Sequence, residues 1–338
     1  MLIITGTYPP ERCGVGDYTQ CLLSTETGGK WHLFYRKHWQ LGELGSLCKA
    51  LRKTTDKVVN LQYPTMGYST NITPHLLALY AVVFLRRKLI LTIHEYSQLG
   101  WKGKLALKPL FALAATTVFT TDFELRYAKR RNPLLRRGAV IKIGSNIPAA
   151  EHDLRTAVAR AWDLGYFGYL RPNKGLEEFL SVAERLKKER KDAGIYVMGQ
   201  TQPEFAAYHT PIVRRLGELG IVHFADKNKE EAAELLNDTK IAYLHYPDGL
   251  SERRGSFLAS AVNGCVVVSS EGAFTTEEQK RRIILADANQ AYGVICDLLN
   301  DETKLCQAQD NVLAFVKDNV PPSWESVAGQ YKNIIDSL

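Results

Sequence analysis

Two doubly wound α/β domains, each a mostly parallel sheet wrapped by helices, are expected from this chain. Three observations point there. Short apolar runs alternate with segments of helical period along the whole sequence. Several runs end in glycine- or proline-bearing loops that lead straight into a helix. The alternation pauses near residue 150 and then restarts, which divides 338 residues into two units of ordinary domain size with a crevice between them.

In the first half, strands are expected at 2–5, 31–35, 57–62, 89–93, 116–121 and 140–143. Pro9-Pro10 ends the first, Gly14 and Gly16 make a flexible turn, and Asp17 caps the following helix. Tyr63-Pro64 ends the third strand, and residues 74–85 read as an apolar helix. His94 and Glu95 follow the fourth strand directly, at the carboxyl edge of an open sheet. A lone histidine there also reads as a hydrogen-bonded structural residue. The segment 105–119 contains Lys108 and Pro109 and reads as buried rather than membrane-spanning. Asp122 begins a helix, and residues 149–161 read as a polar helical linker.

In the second half, strands are expected at 164–170, 195–198, 221–224, 241–245 and 265–268. Helices follow from Leu176 through Leu186 and at 213–219, 230–236, 290–300 and 303–318, and a last one at 323–338 after Pro321-Pro322. Arg171, Asn173, Lys174 and Gly175 form the loop before the first of these, which is amphipathic through Leu176, Phe179, Val182, Ala183 and Leu186. Lys174 reads either as an exposed loop lysine or as a cation at a helix start.

The stretch 246–264, YPDGLSERRGSFLASAVNG, organises this half. Pro247-Asp248-Gly249 is a turn, Ser251 is the expected N-cap, and Gly264 is the expected stop. A helix that opens at a strand's carboxyl end presents unpaired N–H groups and positive dipole character. Arg253 and Arg254 add two cations beside it, Gly255 lets a ligand approach the backbone closely, and Ser256 lies with it near the helix start. These features suit a phosphate or diphosphate. The glycine loop at 14–16 has neither GxGxxG spacing nor a GK[ST] ending.

The net charge is +7, and the surplus concentrates between Arg126 and Lys142, where seven basic residues meet no acidic one. That run reads as a solvated face, as a nucleic-acid patch, or as a surface drawn to anionic lipid headgroups, with Arg86, Arg87 and Lys88 extending it. No aromatic interleaving supports nucleic acid. The six cysteines form no CxxC pair, which argues against zinc and for a reducing cytoplasm. The amino terminus lacks the pattern of a signal peptide.

Taken in order, these motifs resemble the GT-B glycosyltransferases, specifically glycosyltransferase family 4, over essentially the full length. Tyr8-Pro9-Pro10 with Cys13-Gly14-Val15-Gly16 resembles that family's first glycine loop. Thr92-Ile93-His94-Glu95 resembles its Thr-x-His-Asp segment, and 143–148 the close of its amino-terminal domain. Residues 168–175 resemble its Gly-Arg-x4-Lys-Gly loop, and Asp248 to Ser256 a branch carrying Ser-Glu-Arg-Arg-Gly-Ser. Ser323-Trp324-Glu325 with Tyr331 resembles its carboxyl-terminal crossover helix.

The resemblance implies an acceptor-side domain at 1–150, rejoined by 321–338, and a nucleotide-sugar domain at 160–320. It implies a hexosyl-type transfer from a nucleotide-diphosphate sugar to a glycan or lipid-linked acceptor, with retention, in cell-surface polysaccharide or glycolipid synthesis. The protein would be cytoplasmic or peripheral on the inner membrane face, with no cofactor, metal or nucleic acid. By position His94, Lys174 and Glu252 would be catalytic. Gly14, Gly16, Arg171, Lys174, Arg253, Arg254, Gly255 and Ser256 would hold the diphosphate. Two positions depart from the family. Ser251 and Ala259 stand where it carries two glutamates, the second of which binds ribose, and Tyr169 stands where it carries an arginine. These departures motivate an alternative: a catalytically degenerate relative that binds a sugar nucleotide or a partner protein.

Overall fold

The structure is a computed structural model that describes residues 1–11 and 13–338. It consists of two compact units, Met1–Gly144 with Pro321–Leu338, and Ser145–Val320. The first begins with β1 (Leu2–Thr5), α1 (Gly14–Leu23), β2 (His32–Tyr35), α2 (Leu44–Arg52), β3 (Val58–Tyr63) and α3 (Thr73–Val83). It continues with β4 (Lys88–Ile93), α4 (Trp101–Leu113), β5 (Thr116–Phe119), α5 (Asp122–Arg131) and β6 (Gly138–Val140). The second unit runs β7 (Trp162–Phe167), α6 (Leu176–Glu189), β8 (Ile195–Met198), α7 (Ala206–Glu218), β9 (Val222–Phe224) and α8 (Lys229–Asn237). Then come β10 (Thr239–Leu244), α9 (Gly255–Val262), β11 (Val266–Ser269), α10 (Glu277–Arg282), β12 (Ile284–Leu285), α11 (Ala291–Asn300) and α12 (Glu302–Asn319). The last helix, α13 (Trp324–Asp336), packs in the first unit.

Each unit has one six-stranded sheet. The orders are β2-β1-β3-β4-β5-β6 and β12-β11-β10-β7-β8-β9, and every pairing is parallel. The second is the order of dinucleotide-binding folds, and the first is flavodoxin-like. Strand order reverses between β1 and β3 in one sheet and between β7 and β10 in the other.

Parallel strands covered on both faces need apolar side chains on both. In the first sheet Leu2, Ile4, Val59, Leu61, Leu89 and Leu91 pack with α2, α3 and α4. Ile3, Ile90 and Val118 face the other way, against Tyr18 and Leu22 of α1 and Val327 and Tyr331 of α13. Asn60, Gln62 and Thr92 share that second face by strand parity and are fully buried. The Tyr331 hydroxyl answers them: it lies 2.9 Å from Thr92 Oγ1 and accepts a hydrogen bond of 2.9 Å from Tyr18. The second unit's core runs from Leu164 and Tyr166 through Phe179, Val197, Ile241, Tyr243 and Val266 to Ile295.

Several elements depart from the sequence reading. Helix α1 starts at Gly14 with Cys13 as N-cap, so Gly14 and Gly16 lie in a helical turn and Asp17 lies inside the helix. Close packing is the reason at Gly16, where a Cβ would meet Thr7 O at 3.2 Å. Residues 149–161 form no α-helix and are irregular apart from one tight turn at Ala157–Ala159. Side chains from elsewhere in the second unit satisfy the backbone there. Asn263 takes the N–H of Ala150, Glu234 that of Glu151, Asn237 that of Arg155, and Gln309 that of Ala157. Strands β6 and β7 sit earlier than expected, because register with β5 and β8 sets their ends. In α4, Leu107, Leu110 and Phe111 are buried while Leu105 and Leu113 are exposed. Helix α7 begins at Ala206 and accommodates Pro211 inside it. Helix α10 and strand β12 were not expected: EEQKRR has no apolar period, and a capping box at Thr276 and Gln279 starts it instead.

Tyr331→Phe removes one hydroxyl from a fully buried polar cluster. It should cost about 1–3 kcal/mol, read as a lower denaturation midpoint at unchanged m-value. An unchanged midpoint would show that α13 is held by its apolar contacts alone.

Candidate functional site

The switch point between β7 and β10 lies where loops part on the carboxyl side of an open sheet. Two loops leave it. The first, residues 168–175, contains Tyr169, Arg171 and Lys174. The Tyr166 hydroxyl fixes it by donating to the Lys174 carbonyl at 3.1 Å. Arg171 and Lys174 are half-buried, and the Arg171 guanidinium lies 5.7 Å from the centre of the Tyr169 ring. The loop ends at Gly175, the N-cap of α6, with φ of 74°. Only glycine fits there: a Cβ would stand 2.0 Å from His245 O, at the end of β10. The two loops are thus in backbone contact at their bases.

The second loop, residues 245–254, is anchored to the loop after β11. Tyr246 N–H donates to Ser270 Oγ at 2.9 Å, and Leu250 N–H donates to Ser270 O at 2.9 Å. Gly249 takes a φ of 86° against Gly272. These bonds draw Leu250 and Ser251 into the interior. Ser251 is therefore not the N-cap expected from the sequence. A turn from Ser251 O to Arg254 N intervenes, and Arg254 is the N-cap, with no side-chain cap bond. Helix α9 has no acidic residue in its first turn, and it stops at Asn263 with Gly264 at φ of 69°.

Gly255 and Ser256 occupy that first turn, as their proximity to the helix start required. A Cβ on Gly255 would meet nothing within 4 Å. The Ser256 hydroxyl lies 2.7 Å from the Tyr246 hydroxyl. Burial pushes the Tyr246 phenol up to about 12, against Ser256, the Arg254 charge and the Phe257 N–H. Arg254 pairs with Asp248 and lies 4.7 Å over the Tyr246 ring. Arg253 lies 5.7 Å from the centre of the Phe274 ring. Glu252 is half-buried, and Ala259 is fully buried. A cavity of about 340 Å³ opens beside this loop, lined by His245, Tyr246, Ser270, Glu271, Asp287 and Gln290. Sequence reasoning did not single it out, because its lining comes from the ends of three different strands.

In the first unit, His94 directly follows β4 and is 5% exposed. Its Nε2 lies 2.8 Å from Gln62 Oε1, and its ring meets Tyr18 edge-on at 5.0 Å between centres. Gly14 and Gly16 open α1, which follows the loop from β1 at that sheet's own switch point. Gly67 N–H donates to Thr7 Oγ1 at 2.9 Å and so ties the loops after β1 and β3 together.

The basic run is mostly surface. Arg126, Lys129, Arg130, Arg131, Arg136 and Arg137 are exposed, as are Arg86 and Lys88. Arg87 does not extend the patch. It is buried and donates to Thr54 Oγ1 and to the carbonyls of Leu51 and Thr54. Among the described residues no helix is long and apolar enough to cross a membrane.

No family model matches this sequence, and no curated protein matches it. Solved structures do match the fold. Anabaena HepE in complex with UDP and glucose superposes with a TM-score of 0.71 at 11% identity, over 100% of this chain and 99% of that one. Sucrose-phosphate synthase from Thermosynechococcus elongatus gives 0.69 at 16% identity, over 99% and 98%. A glycosyltransferase from Rickettsia africae gives 0.67 at 12% identity, over 100% and 98%. The fold is that of the GT-B glycosyltransferases, two Rossmann-like parallel-sheet domains.

Gly175→Ala forces a Cβ into the His245 carbonyl at a left-handed φ. It should destabilise the protein by at least about 1–3 kcal/mol in thermal or chemical denaturation. Gly255→Ala, with open space around it, should change stability by less than roughly 0.5 kcal/mol. Equal effects would refute the assignment of Gly175 as the contact between the two loops.

Proposed function

We propose that this chain is a glycosyltransferase that uses a nucleotide-diphosphate sugar. One observation carries the reading: the loops bearing Arg171 and Lys174, and the uncapped start of α9, both leave the β7/β10 switch point of the second domain. Ligands of open α/β sheets bind at that place. The GT-B fold adds to it, and the neighbour HepE was solved with UDP and glucose.

The leaving group of such a transfer is a nucleoside diphosphate, and its developing charge sets the task of the site. Lys174 and Arg171 supply cations from one loop, Arg171 making up for the arginine replaced by Tyr169. Arg253, with the N–H groups of Gly255 and Ser256, receives phosphate oxygens from the other. Arg254 acts mainly through Asp248 and Tyr246, so its part is to shape the loop. Glu252 is the carboxylate of the donor site. In the first domain, Gly14 and Gly16 offer the backbone at the start of α1 to a phosphate, and His94 offers a hydrogen bond to a sugar hydroxyl. The transfer retains configuration at the anomeric carbon and needs no metal or cofactor. The acceptor is a glycan or a lipid-linked sugar of cell-surface polysaccharide or glycolipid synthesis, held by the first domain. The exposed basic run from Arg126 to Arg137 draws the protein to anionic lipid on the cytoplasmic face, at about 1 kcal/mol per basic residue near the surface.

A second reading rests on Ala259, fully buried where the resembling family places its ribose-binding glutamate. Under it the chain binds a sugar nucleotide or a partner protein without catalysing transfer.

A thermal-shift screen without metal against UDP, GDP, ADP and their sugars separates the two readings in part. A nucleotide at about a hundred times its Kd should add roughly 2.7 kcal/mol. Stabilisation by one base, with sugar transfer that Lys174→Ala abolishes, is the expected result. Stabilisation without transfer to any acceptor would favour the second reading, and no stabilisation by any nucleotide would overturn the donor site. Sedimentation with liposomes should rise with anionic lipid content and fall with salt. Indifference to both would remove the membrane from the proposal.

A further inference from the structure

The first domain holds a chain of buried polar side chains that ends on His94. Asn60 and Gln62 stand on β3, Thr92 on β4, Tyr18 on α1 and Tyr331 on α13, and none is more than 2% exposed. Tyr18 donates to the Tyr331 hydroxyl, which lies 2.9 Å from Thr92 Oγ1. Asn60 Nδ2 donates to Thr92 Oγ1 at 2.9 Å. The other amide atom of Asn60, Oδ1, accepts from Gln62 Nε2. With its donor so used, Gln62 turns Oε1 to His94 Nε2 at 2.8 Å. The backbone of His94 is fixed as well, its N–H donating to Tyr63 O at 2.9 Å.

This order of donors has a consequence for the ring. An amide oxygen only accepts, so the nitrogen facing it carries the proton. We propose that Gln62 is the positioning residue of His94: it fixes the ring plane and holds the neutral imidazole in its Nε2–H form. Asn60, Thr92 and Tyr331 hold Gln62 in turn, which makes the last helix of the chain part of the support of a residue that directly follows β4. Gln62, Asn60 and Thr92 lie within runs that otherwise read as apolar strand, where three buried polar groups have a cost unless each finds its partner. The reversed proton order, with both amides turned over, would place the ring proton on Nδ1. The orientation of the two amides, with Asn60 Nδ2 toward Thr92 and Gln62 Nε2 toward Asn60, selects the first order, and the tautomer follows from it. Its catalytic consequence rests on the role proposed for His94.

The test uses the full chain labelled with 15N in its histidine rings, at a pH above the imidazole range, with His94 assigned by difference from His94→Gln. A protonated-type shift at Nε2 and a lone-pair-type shift at Nδ1 are expected. The opposite pattern in the native protein overturns the proposal without any variant. Gln62→Leu should give a mixture of tautomers, and Gln62→Glu, which keeps an acceptor oxygen at the ring, should restore the Nε2–H pattern. A Gln62→Leu spectrum identical to the native one also overturns it. Where transfer is measurable, Gln62→Leu should lower kcat on the order of 10–100-fold, with the donor KM within about twofold. An Nε2–H ring in a protein that transfers no sugar would sink the enzymatic reading and leave the positioning assignment standing.

Discussion

Every strand in both sheets is parallel, and that constraint shapes the rest of the molecule. A parallel connection must cross back over the sheet, so each strand is followed by a helix or a long loop. All carboxyl ends of a sheet then open on one edge, and all the loops that can meet a ligand lie there. Where the order reverses, neighbouring loops leave in opposite directions and a cleft opens between them. In the second domain this happens between β7 and β10, whose loops carry most of the candidate cations. Gly175 is the tightest point of that arrangement, because it lets the first loop turn directly over the His245 carbonyl. In the first domain the reversal falls between β1 and β3, next to the strand that His94 directly follows.

Much of this was legible in the sequence, because parallel strands buried on both faces leave strong marks. Runs such as 89–93 and 195–198 are continuous and apolar, and they became β4 and β8. Gly264 read as a helix stop and takes the left-handed φ that the stop requires. Helix starts were less legible, because local cap chemistry competes with tertiary bonds. Ser251 has the right residue type and spacing for a cap, but the ladder from Ser270 to Tyr246 and Leu250 pulls it inward. The polar segment 149–161 fails as a helix for a related reason. Five of its N–H groups are satisfied by side chains from distant positions, which no local pattern announces.

The polar chain behind His94 shows the same limit at a site. Asn60 and Gln62 are spaced by two on β3, so the sequence places them on one face, and the register of β4 sets Thr92 beside Gln62. The sequence does not reveal that Tyr331, 239 residues away from Thr92, would close the network. A histidine at a strand end reads equally as structural or functional until its second partner is known. His94 is hydrogen-bonded into the core and directly follows β4 at the carboxyl edge of the sheet, so the structural description holds and the functional one belongs to the proposal.

Helix α9 illustrates how backbone and side chain divide the work of such a site. Most of it is taken into the interior, with Phe257, Ala259, Ser260 and Ala261 fully buried. A glutamate at 259 would be taken out of water and would need a ligand to compensate it. The chain has alanine instead, so this helix offers no buried carboxylate. Its opening turn has no acidic residue and no side-chain cap, and Gly255 leaves the backbone uncovered. Arg254, the nearest cation, is turned toward Asp248 and the Tyr246 ring. Under the proposed reading, α9 therefore acts on a diphosphate through its N–H groups and dipole. Charge comes from Arg253 beside it and from Lys174 and Arg171 on the neighbouring loop, so weakening one loop should weaken the site even where the other is intact.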